Sequence, residues 1–174
     1  ANLWKKNSLA LISSDMQNSN QKYFFMQEAL SMAKKSYDDD EVPVGAIIVK
    51  DNIIIGRGHN QLIRKNDPTG HAEIIAIRDA SQFISNYRLI NCDIFVTLEP
   101  CAMCAGAIFN SRIKNLFFGA HDPKTGACES VVNLGFFKTL NHDCHIHGGI
   151  LQEESKNLLQ KFFKEKRIIK TAVK

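Results

Sequence analysis

His71-Ala72-Glu73 and Pro100-Cys101-Ala102-Met103-Cys104 together supply one imidazole, two thiols and one uncommitted carboxylate. A hydrolytic zinc takes three protein ligands and keeps a fourth position for water, whereas a structural zinc closes all four. Cys101 and Cys104 stand three apart at the start of a helix expected over 101–110. Both sulfurs can then lie on one face of its first turn, where the helix dipole favours thiolate. His71 and Glu73 open a second helix. One Zn2+ per chain, held by His71, Cys101 and Cys104, would have Glu73 beside its open position. A structural zinc completed by Cys92, Cys128, Cys144, His121, His142, His145 or His147 is the alternative, but the second paired ligand motif usual for such sites is not visible.

Zinc lowers the pKa of a bound water from about 16 towards 7. Two thiolates weaken that effect and leave a need for a base, and Glu73 fits it. Its carboxylate could take the water proton, pass it to a ring nitrogen and help an amino group leave as ammonia. Alone, His-x-Glu would read as a first-turn Glu complementing the helix dipole. Followed by Pro-Cys-x-x-Cys, it matches the pattern of zinc nucleobase deaminases.

The elements that must carry these residues alternate along the chain. Phe24, Phe25, Ala29, Met32 and Ala33 recur at helical spacing between Gln21 and about Tyr37. Val44–Val49 and Ile53–Gly58 are strand-like runs joined by Lys50-Asp51-Asn52, a hairpin signal. Helix 71–81, strand 93–98, helix 101–110, strand 114–119 and a short strand near 144–147 follow. A last helix begins near Leu151, with Leu158, Leu159, Phe162 and Phe163 on one stripe. This order implies an α/β fold, a mixed sheet with helices on both faces. Residues 1–20, rich in Asn, Ser and Gln, read as a poorly ordered extension before a single domain over 21–174.

The chain of 174 residues is long enough for a two- or three-layer core. Its apolar runs fall short of the roughly 18 residues that span a bilayer. The five cysteines suggest no disulfide framework, and a cytoplasmic location with no membrane association is expected. From Lys156 to Lys174 seven Lys/Arg face one acid, so that segment carries +6 and the rest about −2 (15 basic, 17 acidic). A basic terminal helix on a near-neutral body reads as a phosphate-binding edge, with Lys161, Lys164, Arg167 and Lys170 as contacts; the plainer reading is a solvated face. Phe162 or Phe163 could stack on a splayed base, although a core stripe explains both.

Beyond the zinc motifs, the chain carries Glu41-Val42-Pro43-Val44-Gly45-Ala46, Asn60, Asp67-Pro68-Thr69, Asn86-Tyr87-Arg88-Leu89-Ile90, Thr97-Leu98-Glu99-Pro100, Asn110-Ser111-Arg112-Ile113, Phe118-Gly119-Ala120 and Lys124-Thr125-Gly126. Over roughly Gln21 to Arg167 it resembles the bacterial tRNA-specific adenosine deaminases, whose zinc mechanism is a known example of base flipping. The resemblance implies a three-layer α/β/α sandwich of the cytidine deaminase type with a mixed five-stranded sheet. It implies conversion of the wobble adenosine of a tRNA anticodon stem-loop to inosine, by a homodimer. It also implies that Asn60 holds the flipped nucleoside and that Asp122 approaches a ribose hydroxyl beside the target, which would favour RNA over DNA. Without the resemblance both are ordinary turn residues. Val44 and Ala46 are expected to shape the base pocket, Phe163 to touch substrate, and His59 and His121 to flank the entrance. Asp122-Pro123 and Cys128-Glu129 depart from the family pattern near the substrate. The competing readings are a small-molecule guanine or cytidine-nucleotide deaminase and a non-catalytic zinc RNA-binding subunit; the basic helix argues against the first, Glu73 against the second.

Overall fold

The computed structural model describes residues 3–134 and 142–172. The elements run α1 (Leu3–Asp38), β1 (Gly45–Lys50), β2 (Ile53–His59), α2 (Leu62–Lys65), α3 (Ala72–Phe83), β3 (Cys92–Leu98), α4 (Ala102–Asn110), β4 (Asn115–Ala120), β5 (His145–His147) and α5 (Gln152–Ala172). The strands form one sheet in the order β2-β1-β3-β4-β5. β1 is antiparallel to both β2 and β3, while β3, β4 and β5 are parallel. This is the expected mixed five-stranded sheet. At the hairpin, Lys50 pairs with Ile53 and both turn residues, Asp51 and Asn52, adopt positive φ, as a two-residue turn between twisted strands requires.

Alternation along the strands sorts the apolar residues into two cores. Ala46, Ile48, Ile94, Val96, Leu116 and Phe118 face α3 and α4. Ile47, Val49, Phe95 and Phe117 meet Phe25, Met26, Ala29 and Met32 of α1. α5 lies in the α1 layer, with Phe162 edge-on to Tyr37 at 5.8 Å between ring centres. The result is an α/β/α sandwich. α3 presents Ala72, Ala76 and Ala80 to the sheet, and a Cβ on Gly58 of β2 would overlap the Ala72 carbonyl. Only Gly there lets the first turn of α3 sit this close to the strand.

Two expectations differ from what is observed, and one short element had no expectation at all. The first helix, expected from Gln21 after a poorly ordered extension, has helical backbone from Leu3; nothing between them breaks it, since residues 3–20 contain no Gly or Pro. Residues 1 and 2 lie outside the described residues. Phe24, assigned to the apolar stripe, is exposed, and Met26 is buried on that face instead. α2, a single turn, has no periodicity from which to be read.

Candidate active site

The ligand-type residues sit where two helices begin. His71 is the N-cap of α3 and Cys101 the N-cap of α4, both with extended backbone and neither using its side chain to cap. Cys104 follows in the first turn of α4 and is buried. His71 Nδ1 lies 3.5 Å from Cys104 Sγ and 3.8 Å from Cys101 Sγ. Tetrahedral bonds of about 2.0 Å to nitrogen and 2.3 Å to sulfur would set each N···S distance at about 3.5 Å, so the three donors fit one zinc. Among the described residues they are the one group of three or more His, Cys or acidic side chains close enough to share a metal, all ligand atoms lying within 4.8 Å. The Cys104 thiol donates to Cys101, and this together with His71 holds Cys101 down at about 4. The same shared proton, with burial, pushes Cys104 far up. A bound cation would have to displace that proton.

Glu73, on the first turn of α3, is 3 % exposed. Burial pushes its carboxyl up to about 6, against its own backbone N–H and the nearby His71. A carboxyl poised near neutrality can both take and give a proton.

The sheet brings the remaining wall together. Gly45 pairs with His59 and Ala46 with Val96, so the start of β1, the end of β2 and the end of β3 reach the same edge. Ser36 donates to the carbonyls of Val44 (3.1 Å) and Asn60 (3.3 Å), tying the two ends. A cavity of about 190 Å³ opens there, lined by Val44, Asn60, His71, Glu73, Cys101 and Asp122, together with Val42, Leu62, Leu98, Glu99 and Thr125. Asn60 Oδ1 accepts from the Ala72 amide at 2.9 Å, which leaves its NH2 as a donor for the cavity. The Asp122 carboxylate accepts from Lys124 N (2.9 Å) and Thr125 Oγ1 (2.6 Å).

Two expected substrate residues lie elsewhere. Ala46 is fully buried and outside the lining, because it sits two residues, about 7 Å, deeper along β1 than Val44, under the helix layer. Phe163 is 46 % exposed and lines a separate groove of about 470 Å³ with His121, Lys124, Lys156, Lys166 and Arg167. Its neighbour Phe162 is buried, as the turn of about 100° per helical residue dictates. Lys161 points away from that groove into another beside α1, with Lys34 and Leu158. The side chain of Lys170 and all of Lys174 lie outside the described residues. His59 is not in the cavity lining and pairs with Asp39 at 3.4 Å.

The sequence reading assigned no role to Val42, Leu62, Leu98, Glu99 or Thr125. Glu99 had a visible signal, an acid between the end of a strand and Pro100. It is 2 % exposed and accepts from the amides of Asp122, Cys128, Glu129 and Ser130.

An α/β/α sandwich with His, Cys, Cys and a buried Glu at two helix starts defines a deaminase-type hydrolytic site. The model of the MafB19-like deaminase family matches residues 18–167. A tRNA-specific adenosine deaminase of Haemophilus influenzae is 49 % identical over 143 residues, 82 % of this chain and 83 % of that protein. A structure solved in a study of A-to-I editing by tRNA deaminases at the wobble position superposes with a TM-score of 0.76 at 43 % identity, covering 78 % of this chain and 99 % of the other. A guanine deaminase from Bacillus subtilis is 40 % identical, with a TM-score of 0.54 over 56 % of this chain and 63 % of its own. The chain belongs to this deaminase family, among the tRNA-specific adenosine deaminases.

Proposed function

We propose that this protein hydrolyses the wobble adenosine of a tRNA anticodon to inosine and ammonia, with one zinc held by His71, Cys101 and Cys104. The observation that carries the reading is that His71, Cys101 and Glu73 line one small cavity, with Cys104 buried directly behind them and close enough to share one metal. The adenosine relatives cover most of the chain at high identity, which favours them over the guanine deaminase, matched over a smaller share.

Zinc, when bound, makes water acidic enough to attack at neutral pH. Glu73 takes the proton, returns it to a ring nitrogen, and carries the next to the departing amine. Asn60 offers its NH2 to an acceptor on the base, fixed in that sense by the Ala72 amide. A stacked adenine cannot enter so narrow a cavity. The target must therefore leave its stack, at a cost of a few kcal/mol that is least for a loop base. Asp122, at the rim, has acceptor capacity left for a ribose hydroxyl.

The groove beside α5 supplies cations for phosphates, with Phe163 half-exposed among them for stacking. Residues 21–174 form the catalytic domain, and residues 1–20 precede it. A tRNA substrate assigns the protein to the cytoplasm. The family resemblance supports a homodimer, and Met103 of α4 with Val131 and Val132 leaves apolar surface exposed for one; sedimentation equilibrium checks it.

The direct test is an anticodon stem-loop with a wobble adenosine, digested after incubation and analysed for inosine by mass spectrometry. Inosine is expected. Its absence alongside deamination of free guanine or a cytidine nucleotide would transfer the assignment to a small-molecule deaminase.

A further inference from the structure

Glu99 lines the substrate cavity, yet its carboxylate is fully engaged by the protein. Oε1 accepts from the amides of Cys128 (3.1 Å), Glu129 (2.7 Å) and Ser130 (2.9 Å). Oε2 accepts from the Asp122 amide (3.0 Å) and the Ser130 hydroxyl. Five donors meet a group with about four lone-pair sites, so none remains for a substrate.

These donors come from both ends of one loop. Asp122 is at its start, and residues 128–130 close it. Between them Gly126 packs so tightly that a Cβ would overlap the Glu99 carboxylate. The loop also carries Thr125, whose hydroxyl donates to Asp122. Two further links join the same segments, a bridge between Cys101 and Gly126 and a hydrogen bond from Ala127 N to Pro100 O at 2.8 Å. The loop that presents Asp122 and Thr125 to the cavity is thus folded around one anion.

We propose that Glu99 is a positioning residue for RNA binding: its carboxylate fixes the loop of residues 122–130 so that Asp122 and Thr125 meet the ribose beside the target base, and it takes no part in the chemical step. The proposal rests on the tRNA deaminase reading above. Glutamine at this position has the same shape but replaces one acceptor oxygen by an NH2. Three amides crowd Oε1, so the NH2 goes to the Oε2 side, where it confronts the Asp122 N–H. Ser130 can turn its hydroxyl; a backbone amide cannot. The loop is therefore released at Asp122, the residue that faces the substrate.

The test compares wild type, Glu99→Gln, Asp122→Asn and the double variant, all zinc-loaded, on a wobble-adenosine stem-loop. Glu99→Gln should retain its zinc and melt cooperatively. KM should rise about tenfold, the size of one mispaired buried donor, with kcat changed no more than a few-fold. In the Asp122→Asn background the same substitution should add little, because both act on one contact. A stem-loop with deoxyribose beside the target should likewise shrink the effect. Ser130→Ala, which removes a donor and leaves the charge, serves if Glu99→Gln does not fold, and should raise KM more weakly while sparing kcat. Lost zinc, a fall in kcat at constant KM, or a full Glu99→Gln penalty in the Asp122→Asn background would each overturn the proposal. Wild type that makes no inosine defeats the functional reading; active wild type with an unmoved KM in Glu99→Gln defeats only this one.

Discussion

Glu73 and Glu99 stand on two walls of one cavity, one two residues after His71 and the other two residues before Cys101, and they titrate in opposite directions. Both side chains are almost completely buried. Burial dominates for Glu73 and raises its carboxyl to about 6. For Glu99 burial alone would also raise it, but the Ser130 hydroxyl and the amides of Ser130, Glu129 and Asp122 outweigh that and hold it below the usual carboxylate range. The comparison teaches that donors, rather than depth, decide which buried acid is held as an anion and which titrates closer to neutrality. In the proposed mechanism one wall does chemistry and the other holds a loop.

The largest expected effect separates the walls outright. Glu73→Gln should keep zinc and RNA affinity but lose about 10² to 10⁴ in rate for each proton transfer it serves. Single-turnover inosine formation with metal analysis on the same sample measures both. A rate near wild type would place the proton carrier elsewhere and erase the distinction from Glu99.

A second, smaller effect follows from the raised carboxyl. In the unfolded chain Glu73 returns to its ordinary value of 4.5, and in the folded, metal-free chain it titrates at about 6. A raised folded value favours the fold while the group is protonated, below about 4.5, and that advantage is lost as pH rises through 6. At pH 8 ionised Glu73 should therefore cost about 2 kcal/mol, from 1.36 kcal/mol per unit. Metal-free Glu73→Gln should be more stable than metal-free wild type at pH 8 by about that amount, and the gap should close below pH 4.5. Urea unfolding at the two pH values checks it. An equal gap at both would mean that charge burial is not the cause.

How far these walls could be read from the chain depends on whether their chemistry is local in sequence. His71-x-Glu73 and Cys101-x-x-Cys104 are each confined to one helix start, so residue type and spacing were enough to propose both the ligand set and the proton carrier. The order of helices and strands likewise pointed to the layers, whereas the apolar run Ile47-Ile48-Val49 does not itself show which residue faces which layer. The loop wall is non-local. Nothing around Glu99 announces that residues 23 to 31 positions later will donate to it. Ala46 lies outside the cavity lining for a related reason, since a strand-like run does not reveal how far along it the helices cover the sheet. Phe163 lies in the groove beside α5 rather than in the cavity, and two adjacent aromatics do not reveal which one the helix turns inward. Lys161 and Arg167 raise the same question of helix phase, which residue counts alone could not answer.

That phase supplies the smallest prediction, and it asks whether RNA grip is confined to the loop side. Arg167 shares its groove with Lys156, Lys166, Phe163, Lys124 and His121, next to the Asp122 loop. Lys161 lies in the other groove and holds its ammonium 5.1 Å from the centre of the Tyr37 ring. Both are one charge on one helix, so net charge cannot distinguish them. If the first groove takes phosphates, Arg167→Gln should flatten the slope of log affinity against log salt by about 0.7 to 0.9, one contact's worth of released counterions. Lys161→Gln should leave the slope unchanged, and neither should alter the rate at saturating RNA. Fluorescence anisotropy with a labelled stem-loop across a salt series resolves a difference of that size. Equal slopes for the two variants would mean that α5 acts only through diffuse charge. A fall in the saturated rate for Arg167→Gln would mean that the groove reaches the chemistry, and that grip and catalysis are not divided between the two walls.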